Sequence, residues 1–242
     1  RKENKEDDNE QSEEEQSEEE SEEESEEEES EEESEESESG FWNSARGREK
    51  IRSYMKPDNI LGKPGKEGVT YEMEHNDVLY AIKTFKDTKS PTKIEMEASM
   101  QKKAAQAGVA PKVVSFNLRS KPKKYIVMQK VAQRLVDFYK STSQDTLLSK
   151  HQEQLIDCME RLDRANVLHN DGNMLNVMLD EGENIKMIDY GFSKPISHAQ
   201  RKKYTNVNGA LTLSMLVRSM RHHGIYAGDD ILSYVQASKQ KP

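Results

Sequence analysis

The sequence predicts an α+β chain of two lobes: a β-rich first lobe with one inserted helix, then an abbreviated helical second lobe, all preceded by a disordered acidic tail. Three observations carry this. Residues 1–40 are almost entirely Glu and Ser and hold too little apolar surface to build a core. From residue 59 the apolar residues come in short runs rich in β-type side chains, broken by Gly and Pro. After Lys130 the apolar spacing becomes helical. The parts in order are the tail (1–40), a basic linker (41–58), the first lobe (59–130) and the second lobe (131–242).

Charge divides the chain more sharply than its total suggests. Residues 1–40 carry 24 acids and 3 bases, a charge of −21, whereas residues 41–242 carry 33 bases and 22 acids, a charge of +11; the net −10 hides two opposite polymers. The tail repeats Ser followed by three or four Glu at Ser17, Ser21, Ser25 and Ser30, a block that repels itself and stays extended. Each Ser from Ser12 to Ser30 has Glu three residues on, the pattern an acidophilic kinase accepts; phosphorylation adds about −1.5 to −2 per site. Such a tail either solvates the chain, folds back on the +11 part, or binds a basic protein partner, and the +11 part invites contact with a polyanion.

A single cysteine, Cys158, excludes an internal disulfide framework and fits a reducing compartment. No run approaches the ~18 apolar residues that span a bilayer, and no basic n-region leads into an apolar h-region, so the expectation is an intracellular chain, cytoplasmic or nuclear, with no membrane partner. Arg1 is not preceded by a Met, so the true N-terminus and any targeting signal stay open.

In the linker, Phe41 and Trp42 are the first large apolar residues and are expected to dock on the folded part. Arg46, Arg48, Lys50 and Arg52 read as a solvated helix face in preference to a nucleic-acid contact, because one short cluster is a weak signal.

The first lobe opens with "NILGKPGKEGVTYEM", where Gly62, Gly65 and Gly68 lie between β-type segments. Glycines let backbone approach an anion and accept positive φ, so strand, turn and strand make a phosphate cover. The spacing departs from G-x-G-x-x-G, since Lys63 stands where the first glycine belongs, and no Gly-Lys-Ser/Thr makes it a Walker loop. "VLYAIKTF" (78–85) is a strand with Lys83 in its middle; such a lysine needs an anion or carboxylate unless it faces water on an edge strand. A helical pattern over 92–107 offers Glu95 and Glu97 as partners and stops at "GVAP". "KVVSFNL" and "KKYIVMQ" are two more strands, joined by a turn at 120–122.

In the second lobe, Leu135, Val136 and Tyr139 fit a short helix, and Leu155, Ile156, Met159, Leu162 and Ala165 fit one face of a longer one. It delivers the chain to "LHNDGNMLNVMLDEGENIKMIDYGF", read as strand, tight polar loop, strand, turn and strand. "ALTLSMLVRSM" and "DDILSYVQ" close the chain as helices.

In order, the Gly-rich turn, "YAIK", a helix with Glu, "HNDGNMLN" and "DYG" resemble the protein-kinase superfamily, whose signatures are V-A-I-K, H-R-D-x-x-x-x-N and D-F-G. The resemblance implies a bilobal kinase-like fold, ATP and Mg²⁺ as cofactors, and serine/threonine protein kinase activity. It further implies that Asp171 is the catalytic base, Asn176 and Asp189 hold the metal, and Lys83, steadied by Glu97 in preference to Glu95, holds the α/β-phosphates. Gly62, Gly65 and Gly68 would cover the nucleotide, with Met128 as gatekeeper and Gln129, Lys130 and Val131 along the base. His169 is read as a core residue packed on Tyr190, the methionines 174, 178 and 187 as core filler, and His222 and His223 as surface residues.

Departures from the pattern point to an atypical type. Asn170 replaces the arginine that clamps an activation-loop phosphate, Asn173 replaces a lysine that meets the γ-phosphate, and no A-P-E follows "DYG". The short second lobe resembles KEOPS-complex and RIO-type kinases and, in "LHNDGNMLNVMLD" and "IDYGFSK", those of large DNA viruses, which would make the chain virus-associated. Two other readings stand beside the enzyme: a catalytically weak nucleotide-binding scaffold whose tail binds basic proteins, and a small-molecule kinase. Retention of Lys83, Asp171, Asn176 and Asp189 speaks against the first, and the short second lobe against the second.

If the tail screens the cationic part, removing residues 1–40 strengthens binding to a polyanion such as heparin at low salt, and the gain vanishes at high salt. Equal low-salt affinity for both chains refutes the screening.

Overall fold

The computed structural model describes residues 40–65, 67–119 and 123–239. The chain divides into two compact units, Arg1–Glu49 and Lys50–Pro242. The acidic repeats lie outside the described residues, as does the turn expected at 120–122.

In the first unit, the Ser44 hydroxyl donates to Phe41 O (2.6 Å) and accepts the Gly47 N–H (3.0 Å), closing a tight turn. Helix α1 (Ala45–Tyr54) follows and continues into the second unit; Arg46, Arg48 and Arg52 are exposed as expected, whereas Lys50 is half-buried with its ammonium 2.5 Å from His75 Nδ1.

The second unit begins its sheet with β1 (Thr70–His75) and β2 (Val78–Thr84), a hairpin closed by Asn76 and Asp77, both at positive φ (50° and 61°) as a two-residue primed turn demands. Helix α2 (Pro91–Gln106) starts where Ser90 caps the Lys93 N–H and Pro91 fits the first turn. It ends at Gly108, whose φ of 75° lets Val109 N–H reach back to Ala104 O at 2.9 Å. Strands β3 (Val113–Asn117) and β4 (Tyr125–Gln129) complete a four-stranded antiparallel sheet in the order β1-β2-β4-β3. The strand expected before the glycine turn shrinks to a single antiparallel bridge, Ile60 to Tyr71, because Pro57–Asn59 forms a 3₁₀ turn just ahead of it. Phe85, Ile94, Ala98, Val113, Ile126 and Met128 pack α2 onto the sheet.

Beyond the sheet, the two-residue β5 (Gln133–Arg134) leads into α3 (Leu135–Thr142), followed by α4 (Ser149–Arg164). Leu155, Cys158, Met159 and Leu162 bury one face of α4 in the main core. Short strands follow as β6 (Val167–Leu168), β7 (Val177–Leu179) and β8 (Ile185–Met187), with β5-β7-β8 forming a small sheet. Neither β9 (Lys194–Pro195) nor α5 (His198–Lys203) shows in the apolar spacing: the strand has two residues, and the helix buries none of its residues and is nucleated by a Ser197/Gln200 capping box. The helix read over 210–220 begins as a π-helical segment, Gly209–Leu213, before α6 (Ser214–His222); α7 (Asp229–Lys239) ends the described chain. Among the described residues no helix is long and apolar enough to cross a membrane.

Gly68 is where this fold tolerates least: a Cβ there would lie 1.7 Å from Thr84 O, a backbone atom of the sheet. Gly68→Ala is expected to cost about 2–3 kcal/mol, seen as a lower urea midpoint with unchanged slope; a midpoint equal to wild type contradicts the close approach.

Candidate active site

Strand β2 is central, hydrogen-bonded to β1 and β4, so Lys83 has no edge from which to reach water freely. Its side chain is 16% exposed, and its ammonium lies 2.6 Å from Glu97 Oε1 and 2.6 Å from Asp189 Oδ1. Glu97 comes from the inner face of α2 with its side chain 1% exposed, whereas Glu95 faces solvent. Burial works against the Lys83 charge, but the two carboxylates outweigh it and hold the ammonium well above its ordinary pKa. Burial likewise opposes ionisation of Asp189, yet Lys83 beside it draws its carboxyl below the ordinary value. Asp189 sits at φ 64°, a left-handed conformation that Asp accepts more readily than most residues.

A second lysine joins this group. Lys89, at the N-terminal edge of α2, is 6% exposed and lies 2.7 Å from Glu97 Oε2 and 2.5 Å from Glu67 Oε2. The result is an alternating chain, Glu67–Lys89–Glu97–Lys83–Asp189. Gly191 sits in its bend, where a Cβ would lie 3.2 to 3.4 Å from oxygens of Asp189, Glu67 and Glu97.

Across from it, the loop after β6 holds Asp171 and Asn176. The Asn176 amide donates to Asp171 Oδ2 at 2.8 Å, and Asn176 O accepts the Ile188 N–H at 2.9 Å, one residue before Asp189. Burial pushes the Asp171 carboxyl upward; the Asn176 amide opposes this, the Asp189 charge reinforces it, and the net shift is upward. His169 is fully buried, its ring 4.7 Å from that of Tyr190 in an edge-on contact. Burial lowers its pKa to about 4, so the ring is neutral and donates from Nε2 to Ile188 O at 3.0 Å.

A bracket that sequence reasoning missed holds this loop from beneath. Asp163 accepts the Val207 and Asn208 N–H groups (2.6 and 3.0 Å) and the Asn208 amide (2.6 Å). Asn208 Oδ1 accepts the His169 N–H at 3.1 Å, and Thr212 Oγ1 accepts the Asn170 N–H at 3.2 Å. Asn170 has φ 61°, and Gly172 is pressed so closely onto the start of α6 that a Cβ would meet Thr212 O at 2.0 Å. No local signal reveals partners some 40 residues apart. Lys89 is equally silent, one lysine in a polar turn; only its place just before the Ser90-Pro91 helix start sets it apart.

The remaining predicted residues are distributed as follows. Gly62 has φ 68°, and the Gly65 N–H donates to Gly68 O at 2.8 Å, so the glycine turn forms. Met128 is buried opposite Ala81 and accepts from the Gln101 amide at 3.2 Å. The Gln129 and Lys130 N–H groups bond to Lys112 O and Leu79 O, both at 2.9 Å, which commits these amides to the sheet. Gln129 and Val131 also line a cleft of about 630 Å³ with Lys102, Pro111 and Lys186; Lys83, Asn176 and Asp189 are not part of its wall. The structure thus gathers Lys83, Glu97 and Asp189 in one group and Asp171 and Asn176 in an adjoining one, and places this cleft apart from both.

The oxygens of Asn176 and Asp189 are hard donors of the kind magnesium takes alongside phosphate oxygens. Among the described residues no three His, Cys, Asp or Glu side chains form a self-sufficient metal cage. That set of donors fits a metal that arrives with a nucleotide.

An antiparallel sheet with a docked helix, a lysine–glutamate pair joining them and an H-x-D-x-x-x-x-N loop facing an Asp-x-Gly turn define a protein-kinase-like fold and site. The protein kinase domain family matches residues 55–213, and the chain belongs to that family. It is 39% identical over 56 residues to the Homo sapiens hormonally up-regulated neu tumor-associated kinase, covering 23% of this chain and 8% of that protein. It is 50% identical over 44 residues to homolog B from Xenopus laevis (18% and 7%) and 52% identical over 40 residues to the Mus musculus kinase (16% and 6%). The matched stretches span less than a tenth of the length of these relatives.

Lys83→Met removes the shared cation and is expected to cost about 2 kcal/mol at pH 7, since Glu97 keeps Lys89. Asp189 has a folded pKa below its unfolded one, so its contribution is full above the ordinary carboxylate value and lost as pH falls through the folded one. The gap between variant and wild type in thermal melts therefore narrows below about pH 4; a gap that widens there contradicts the ion chain.

Proposed function

We propose that the chain is an ATP- and Mg²⁺-dependent serine/threonine protein kinase of a small, atypical kind, similar to those of large DNA viruses and of the KEOPS and RIO type. The observation that carries this is the Lys83 ammonium held 2.6 Å from both Glu97 and Asp189, a cation aimed at phosphate and anchored from two elements. The family membership and the word kinase in the relatives' names support it. The atypical kind is supported by the short stretch 192–197, all that separates Gly191 from α5, too little for a long activation segment.

Phosphoryl transfer asks mainly for position and charge. Asn176 and Asp189 would hold the metal, which would supply neutralisation of phosphate charge. Lys83 stays protonated and takes the α/β-phosphates, turning from Asp189 while Glu97 keeps it in place. Gly62, Gly65 and Gly68 cover the phosphates, and Met128, buried opposite Ala81, borders the base. Asp171, its carboxyl pushed upward by burial, accepts or orients the proton of the acceptor hydroxyl, and Asn176 fixes the rotation of its carboxylate.

The experiment uses labelled ATP with Mg²⁺ and protein acceptors, one acidic and one basic, followed by phosphoamino-acid analysis. Label on Ser or Thr is expected, with Asp171→Asn and Asp189→Asn each lowering the rate about a thousandfold. Thermal stabilisation by nucleotide with no transfer in the wild type would move the assignment to a binding scaffold; label on Tyr alone would overturn the acceptor class.

A further inference from the structure

We infer that Lys89 is a second positioning lysine of the nucleotide site, tying Glu67 of the glycine turn to Glu97 so that turn, helix and Lys83 are oriented as one. The inference rests on the kinase reading and adds a residue outside its signature motifs.

Two features mark Lys89 as more than a surface lysine. Its side chain is 6% exposed and its ammonium touches two carboxylates, Glu67 at 2.5 Å and Glu97 at 2.7 Å, with the Phe85 ring 4.6 Å beneath. Its backbone is fixed as well: the buried Lys124 ammonium donates to Asp87 O at 2.9 Å and Lys89 O at 2.8 Å. A lysine desolvated to this degree persists only where carboxylates compensate it.

Lys89 leaves Glu97 little freedom. One carboxylate oxygen goes to Lys83 and the other to Lys89, so Glu97 cannot rotate away when Lys83 turns toward phosphate. At its other contact Lys89 holds a glutamate that belongs to the phosphate-covering turn. That turn is already joined to the end of β2, through Glu67 O to the Lys86 N–H (2.9 Å), Val69 O to the Thr84 N–H (2.8 Å) and the seat of Gly68 against Thr84. With Lys89 present, Glu67 is a neutralised latch. With Lys89 removed, Glu67 becomes a lone carboxylate beside the phosphates and repels them.

This predicts that the effect of Glu67→Gln changes sign with its partner. Binding of ATP with Mg²⁺ to the full chain is measured by calorimetry, and kcat and KM for ATP in parallel. Lys89→Met is expected to weaken ATP binding about tenfold and to raise KM for ATP more than it lowers kcat, while Lys89→Arg stays near wild type. Glu67→Gln alone weakens binding about threefold, yet in the Lys89→Met background it restores part of the loss. Should Lys89→Met not fold, hydrogen exchange on Glu67→Gln serves instead: the Gly65 amide, bonded to Gly68 O, exchanges faster if the latch is real and unchanged if it is not. A purely structural lysine predicts a lower melting temperature with wild-type ATP affinity and no relief by Glu67→Gln, and that result overturns the inference alone. A wild-type chain that binds no ATP overturns it together with the kinase reading.

Discussion

A buried ammonium governs this structure. Lys83 stands near the end of a central strand, largely withdrawn from water, and its charge is tolerable there because Glu97 and Asp189 come to it from a helix and from a loop far along the chain. That requirement dictates which face of α2 turns to the sheet and where the turn after β8 must end. Glu97 is itself buried and needs cations, so Lys89 enters the same chain. Apolar side chains of similar volume would be less costly to bury, so the ion chain acts as a positional device more than as a source of stability.

The loop that carries Asp171 and Asn176 is built on another principle. It carries no buried ion pair of its own; neutral donors and one carboxylate set its backbone from below. Asp163 orients Asn208, Asn208 receives the His169 amide, and Thr212 receives that of Asn170. A loop so held can keep Asn170 at positive φ and present Asp171 with its carboxylate turned by Asn176. The neutral, buried His169 ties that loop to the residue before Asp189 through Ile188 O.

Much of this was legible beforehand. Runs of apolar and β-branched residues located β2, β3 and β4, and helical spacing located α2, α3 and α4. The strand before the glycine turn was misread and the helix α5 was missed, both for physical reasons. The first is reduced to one bridge by the 3₁₀ turn at Pro57, and the second buries none of its residues and is held by its cap. Lys83, Asp171, Asn176 and Asp189 stood out because lysine, aspartate and asparagine at those spacings beside apolar strands are costly without a purpose. Lys89, Glu67, Asn208 and Asp163 did not, since nothing local distinguishes them from surface polar residues.

From the order of residues alone came the two-lobed α+β class, the family and the candidates Lys83, Asp171, Asn176 and Asp189: apolar periodicity and motif spacing are properties of neighbours in the chain. The partners came only with the tertiary fold. That Lys89 shares Glu97 with Lys83, and that Asn208 carries the His169 amide, depend on how the elements pack. Buried charges and amides accept whatever complement the packing delivers, and that complement is written in space, not in sequence.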